Sequence, residues 1–323
     1  MSLIMSLQNP RVKDAVRLRD RRHREKQGRI LIDGARELRR AIAAGVKLLE
    51  VFVCEPLCHS DDAQHLLAAL PKCGGEVWHV NEAVFERLAF GQRAEGVLAV
   101  AEMPRPTLAT LNWGGSSASW GGSSTATPTS GSQSDERAAD SVPLLRRSSA
   151  ESGRLPSTAC KQAVAHGYGE CPLIAVLEGV EKPGNVGAVL RSADAAGVSA
   201  VIVADGRTDL FNPNAIRASL GTIFTMQVCE AASGEVLAWL RGKRFQIIAA
   251  RVDGSVGYMK VDYRRPTAIV LGGEAAGISP IWSGDDVTAV HLPMRGAADS
   301  LNVSVTAAVL FYEALRQRDI TAS

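Results

Sequence analysis

The stretch "EKPGNVGAVLRSADAAG", residues 181–197, follows the apolar run "PLIAVLEGV", residues 172–180. The apolar run reads as a strand, Pro-Gly as a tight turn, and the alanine-rich continuation ending at Gly197 as a helix. Many α/β proteins hold a cofactor phosphate at such a turn, on the N–H groups that open the helix. This turn has neither G-x-G-x-x-G nor a Walker lysine, which argues against a nucleotide-dependent oxidoreductase or a Rossmann methyltransferase. It offers instead Asn185, whose side-chain oxygen can cap the helix, and Gly187, where another backbone can come close. A lone arginine, Arg191, lies about one and a half turns into the helix.

Strands are predicted on either side of this unit, at "SAVIVAD", "FQIIAARVD", "TAIVLGGE" and "VTAVHLPM", with helices near 186–196, 234–241 and 302–318. These strands are apolar on both faces, the pattern of a parallel sheet buried by helices. Ligands of such sheets sit at the carboxyl ends of the strands. Two more unusual loops start there. In "IVLGGEAAGIS", residues 269–279, a strand runs straight into Gly272 and Gly273, which leave main-chain groups open to a ligand. The neighbouring Glu274 suits a cationic or hydroxylated ligand better than a phosphate. In "VHLPMRGAADSLNVSVTAAVLFYEALRQR", residues 290–318, a strand ends at Leu292-Pro293-Met294, and Ser300 or Asn302 can cap the last helix. Val305, Ala308, Tyr312 and Leu315 recur there at helical spacing, a packing stripe for this chain or a second subunit.

Toward the N-terminus, residues 6–103 alternate short strands and helices, among them a helix at "NEAVFERLA" capped by Asn81, as in a sheet covered by helices. "NPRVKDAVRLRDRRHREKQGR", residues 9–29, is densely basic although the whole chain carries only +2. Arg17, Arg19, Arg21, Arg22 and Arg24 are therefore candidate phosphate contacts, with a solvated helix face as the plainer reading. Residues 104–170 are rich in Ser, Gly, Thr and Ala without apolar period, and read as a disordered linker. The division is thus 1–103, 104–170 and 171–323. Six cysteines, Cys54, Cys58, Cys73, Cys160, Cys171 and Cys229, form no C-x-x-C pair. The set Cys54, Cys58, His59 and Cys73 matches no zinc module, so no metal is expected. With no signal peptide and no apolar run long enough to span a bilayer, a cytoplasmic protein without membrane contact is expected.

Together the three loops closely resemble the signature motifs of the SpoU (TrmH-like) RNA 2′-O-ribose methyltransferases of the SPOUT superfamily: "PGNVGAVLRSADAAG" motif 1, "VLGGEAAGIS" motif 2, "LPMRGAADSLNVSV" motif 3. "DLFNPNAIRASLGTIF", residues 209–224, is similar to the segment the family carries between motifs 1 and 2. The basic first domain resembles the family's L30e-like RNA-binding domain. Lys182, Ala275 and Thr306 depart from the usual pattern, and none of them is a residue assigned to chemistry. The resemblance implies an α/β fold with an L30e-like domain followed by a mostly parallel SPOUT domain closed by a trefoil knot. It implies S-adenosylmethionine held by main-chain groups at Leu271, Gly272, Gly273, Leu292, Met294 and Leu301. Arg191 would lie at the target ribose and its phosphate, and Asn185, Glu274, Ser300 and Asn302 would shape the pocket. A homodimer through the last helix is implied. So is structured RNA as substrate, ribosomal before transfer RNA. An RNA-binding protein of this fold without catalysis is the alternative.

Overall fold

The computed structural model describes residues 3–90, 95–112, 171–274 and 276–319. The linker reading falls mainly on 113–170, outside the described residues.

In the first unit, strands β1 (Leu3–Ile4), β2 (Arg29–Asp33), β3 (Leu48–Val53), β4 (Glu76–Val80) and β5 (Val97–Glu102) form one sheet. Its order is β1-β4-β3-β5-β2, with β5 antiparallel to both neighbours and the other pairs parallel. Helices α1 (Pro10–Arg17), α2 (Arg21–Gln27), α3 (Ala35–Ala43), α4 (Asp61–Ala69) and α5 (Glu82–Leu88) cover it. Local chemistry sets their starts. The side chains of Asn9, Asp20, Ser60 and Asn81 each accept a hydrogen bond from the opening turn of α1, α2, α4 and α5. Asn81 is the cap the sequence predicts.

The second unit has seven parallel strands in the order β10-β12-β9-β11-β6-β7-β8. These are β6 (Leu173–Glu178), β7 (Ala200–Ala204), β8 (Gln227–Ala231), β9 (Gln246–Ala250), β10 (Val256–Gly257), β11 (Thr267–Gly272) and β12 (Val287–His291). The helices are α6 (Pro183–Ala195), α7 (Pro213–Ala218), α8 (Thr222–Thr225), α9 (Ser233–Gly242) and α10 (Val303–Asp319). Every residue of β6 and β7 is buried, as apolar runs in a doubly covered parallel sheet require. Alternate residues feed two cores. Leu173, Ala175 and Leu177 pack with Val186, Val189 and Leu190 of α6 and Leu310 and Phe311 of α10. Ile174 and Val176 face Val236 and Leu240 of α9 and the buried Trp282.

Segment 209–224 docks the two units together. Ile216, Ile223 and Phe224 share one apolar cluster with Ile30, Ile32 and Leu38. Arg40 Nη1 donates to the Leu220 carbonyl at 2.8 Å, and Arg217 donates to Asp33 Oδ2 at 3.2 Å and to the Phe90 carbonyl. Burial pushes the Asp33 carboxyl above the ordinary carboxylate range, against the opposing pull of the Phe90 N–H and Arg217. Beyond β5 the chain runs to the edge of the second sheet. Leu108 and Leu111 pack on its core, and Asn112 N–H donates to Gln227 Oε1 at 2.7 Å, covering the exposed edge of β8.

Two of the five arginines proposed as phosphate contacts are tied into the fold itself. Arg24 is 1% exposed. Its Nε lies 3.2 Å from Asp209 Oδ1, its Nη2 pairs with Oδ2, and its Nη1 donates to the carbonyls of Leu18 and Arg19 at 2.6 and 2.7 Å. A basic helix turns one arginine inward to hold the other unit, and charge counting cannot distinguish it from its exposed neighbours. Arg19 Nη2 donates to the carbonyls of Arg87 and Ala89, at 2.8 and 2.6 Å, where α5 ends. Arg24→Ala should therefore destabilise the fold by about 3 kcal/mol, because it leaves the Asp209 carboxylate without its cation. The salt dependence of RNA affinity should stay unchanged. Urea unfolding beside RNA titrations at several salt concentrations checks both, and a flattened slope with unaltered stability would restore the phosphate role.

Candidate functional site

The three unusual loops all leave the carboxyl edge of the parallel sheet, after β6, β11 and β12. The first passes Gly179, in the left-handed region at φ +61°, and enters α6 at Pro183. Proline suits the first helical position, having no N–H to leave unpaired and a φ already helical. It shifts the cap to Lys182, which makes no side-chain cap bond. Asn185 is thus the third residue of the helix and not its cap. Its Nδ2 donates to Glu274 Oε1, and its Oδ1 accepts from Asn302 Nδ2 at 3.4 Å.

Asn302 is the cap of α10: its Oδ1 accepts from Ser304 N–H at 2.9 Å and from Ser304 Oγ at 2.7 Å. Of the two caps the sequence offers, Asn302 takes the role, and Ser300 lies exposed in the preceding loop. Glu274, Asn185 and Asn302 therefore form one polar chain across all three loops. Arg191 stands apart. Six residues beyond Asn185, it lies roughly 9 Å further along the helix and about 240° around it, with its side chain exposed. Close packing holds α6 in place. A Cβ on Gly187 would lie 2.5 Å from the Ala215 carbonyl oxygen and 2.5 Å from the Ala218 Cβ, so the glycine gives the close approach its position suggests.

Beside this chain the backbone is tightly folded. Leu271 is the last residue of β11 paired with both β9 and β6, and Gly272 pairs only with Glu178. The chain then turns back, Gly277 N–H donating to the Gly273 carbonyl at 3.0 Å. A Cβ on Gly273 would lie 2.5 Å from the Gly179 carbonyl oxygen. Leu292 and Met294 are half-buried after β12, and Leu301 is exposed beside the cap. Three polar residues escaped the sequence reading: Glu178, Asp209 and Arg217. For Glu178 a signal existed, an acid ending an otherwise apolar strand. For the other two, nothing local separates a docking side chain from a solvated one.

A doubly covered parallel sheet with glycines at its carboxyl edge, bridged by polar side chains from three loops, is the class of α/β protein that places its ligand site at that edge. The SpoU rRNA Methylase family model matches residues 172–312, and the MRM3-like substrate binding domain model matches residues 9–99. A solved structure described as an RNA 2′-O ribose methyltransferase is 36% identical, with a TM-score of 0.71, over 98% of this chain and 99% of its own. The chain belongs to the SpoU rRNA methylase family. A 23S rRNA (uridine(2479)-2′-O)-methyltransferase of Streptomyces viridochromogenes is 35% identical over 142 residues, 42% of this chain and 50% of the relative. A tRNA (guanosine(18)-2′-O)-methyltransferase of Escherichia coli is 36% identical over 148 residues, 45% of this chain and 64% of the relative. In the curated relatives it matches, the chain spans between about half and two thirds of their length.

Proposed function

We propose that this chain transfers the methyl group of S-adenosylmethionine to a ribose 2′-hydroxyl of ribosomal RNA. The observation that carries this reading is the chain Glu274–Asn185–Asn302, which ties three loops from three strands together beside the glycine cradle. The cradle fits the cofactor. Main-chain groups around Leu271, Gly272 and Gly273 can read a nucleoside, and the half-buried Leu292 and Met294 offer it apolar contact. The turn before α6 needs no phosphate motif because this ligand has no phosphate. When bound, S-adenosylmethionine supplies a sulfonium methyl group that an oxygen nucleophile can attack.

A ribose hydroxyl is a weak nucleophile and would lose its proton to solvent as the bond from oxygen to methyl forms and the bond from sulfur to methyl breaks, with S-adenosylhomocysteine leaving. The Arg191 guanidinium, with its planar fork of donors, holds the phosphate beside the target ribose and favours the developing alkoxide. Asn185, Glu274, Ser300 and Asn302 shape the space between cofactor and ribose. Arg17, Arg21 and Arg22 lie exposed on the first unit, which supports a role for them in taking phosphates further along the RNA. The pairs Arg17–Asp14 and Arg21–Glu25 are surface ion pairs that a phosphate can displace at little cost. We read the last helix as a homodimer interface, because Val305 and Tyr312 are 47% and 50% exposed on one face of α10. We read the return of the chain around β11 and β12 as the family's trefoil knot. Among the described residues no helix is long and apolar enough to cross a membrane, and the reading places the enzyme in the cytoplasm with its RNA.

Transfer RNA is the second reading, favoured by the likeness to the Escherichia coli enzyme named above. Mapping 2′-O-methyl riboses in total RNA with and without the gene decides between them. The expected result is one ribosomal RNA position that loses its methyl group. A loss confined to tRNA selects the second reading, and an unchanged map in both refutes the proposal.

A further inference from the structure

Glu178 is the last residue of β6, an interior strand between β11 and β7, and it is 5% exposed. Its Oε1 accepts from Ser233 Oγ at 2.9 Å, from Ser279 Oγ at 2.6 Å and from Trp282 Nε1 at 2.8 Å. Its Oε2 accepts from the Ser279 N–H at 2.7 Å. A carboxylate needs that many donors to stay in so buried a place. What the donors belong to is the informative part. Ser279 and Trp282 lie where the chain returns from the glycine loop toward β12.

We propose that Glu178 is a positioning residue for the cofactor loop, holding both of its ends from one point. Its backbone pairs in register with Gly272, where the loop leaves the sheet. Its carboxylate binds Ser279, where the loop comes back. Between these points lie Gly273 and Glu274, so the main chain that reads the cofactor and the carboxylate that orients Asn185 both hang from this clamp. Nothing in the clamp reaches Arg191 or the first unit. Loosening it should spread the loop's conformations and weaken cofactor binding, and leave the chemistry of the filled site intact.

The inference rests on the methyltransferase reading, and the experiment separates the two. Calorimetric binding of S-adenosylmethionine to the wild type tests the reading, and its absence would remove the basis of the inference. Glu178→Gln tests the clamp. The amide keeps the shape, and with Oε1 facing its three donors, Nε2 meets the Ser279 N–H, donor against donor. Expected are a roughly tenfold rise in Kd and KM for S-adenosylmethionine, kcat at saturation within threefold, and unchanged RNA affinity. S-adenosylhomocysteine should weaken by the same factor, because the clamp acts on the loop and not on the sulfonium charge. Amide exchange in the peptide spanning 271–282 should quicken. An unchanged cofactor Kd, a loss confined to the sulfonium form, or a fall in kcat without a rise in KM would each overturn the proposal. Ser279→Ala removes one hydroxyl donor and should raise the cofactor Kd about threefold. If Glu178→Gln fails to fold, this variant decides, and an unchanged Kd in it overturns the clamp.

Discussion

Arg191→Ala should lose methyl transfer by about a thousandfold while S-adenosylmethionine affinity stays within a few-fold of wild type. The guanidinium is exposed on α6 and lies apart from the hydrogen-bonded chain and from the glycine loop. Its removal should therefore leave the cofactor's surroundings as they are. What goes is the group proposed to fix the target phosphate and to favour loss of the hydroxyl proton. Positioning and proton-transfer effects of this kind are each commonly worth 10²-fold or more. Arg191→Lys keeps the charge but not the planar fork, and should recover only part of the rate. Calorimetry for the cofactor and a tritiated-methyl assay on RNA read the two quantities separately. Full transfer by Arg191→Ala would remove Arg191 from the site, and a loss of cofactor binding equal to the loss of rate would make it a cofactor residue.

Much of this arrangement was legible in the sequence because it rests on local rules. Buried parallel strands are apolar on both faces, so β6, β7 and β11 announce themselves. Asn81 and Asn302 act as caps because short polar side chains at helix starts do so with few alternatives. The resemblance of three loops then brought Asn185, Glu274 and Asn302 to one place. What was not legible depends on partners far along the chain. Asn185 reads as a cap until Pro183 is seen to open the helix, which frees the amide to reach Glu274, 89 positions on. Arg24 sits in a run of like residues, and only the fold shows that Asp209, 185 positions on, takes its charge. Periodicity and composition contain no term for such pairs.

Gly272→Ala should abolish measurable S-adenosylmethionine binding, a rise in Kd of a hundredfold or more. The reason is steric and can be located atom by atom. A Cβ at this position would lie 2.2 Å from the Gly277 carbonyl carbon, 2.3 Å from its oxygen and 2.6 Å from the Ile278 nitrogen. All three are main-chain atoms, so no side chain can rotate away, and the returning strand of the loop must shift. That strand cannot shift freely, because Ser279 is bound to Glu178 and Gly277 to Gly273. The strain falls on the short stretch between Gly272 and Ser279, which is proposed to read the cofactor. Overpacking of this kind typically costs about 1–3 kcal/mol of stability, so the variant should fold, with its melting temperature lowered. RNA affinity should persist, since the exposed arginines lie on the other unit. Gly184→Ala supplies the control within the same site. Its added Cβ meets nothing within 4 Å, and alanine is the better helix former by up to about 1 kcal/mol, so cofactor affinity should be unchanged and stability equal or higher. Calorimetric titration of both variants, with thermal unfolding alongside, gives the comparison. Wild-type affinity in Gly272→Ala would show that the cofactor is held elsewhere, and would remove the glycine cradle from the proposed function.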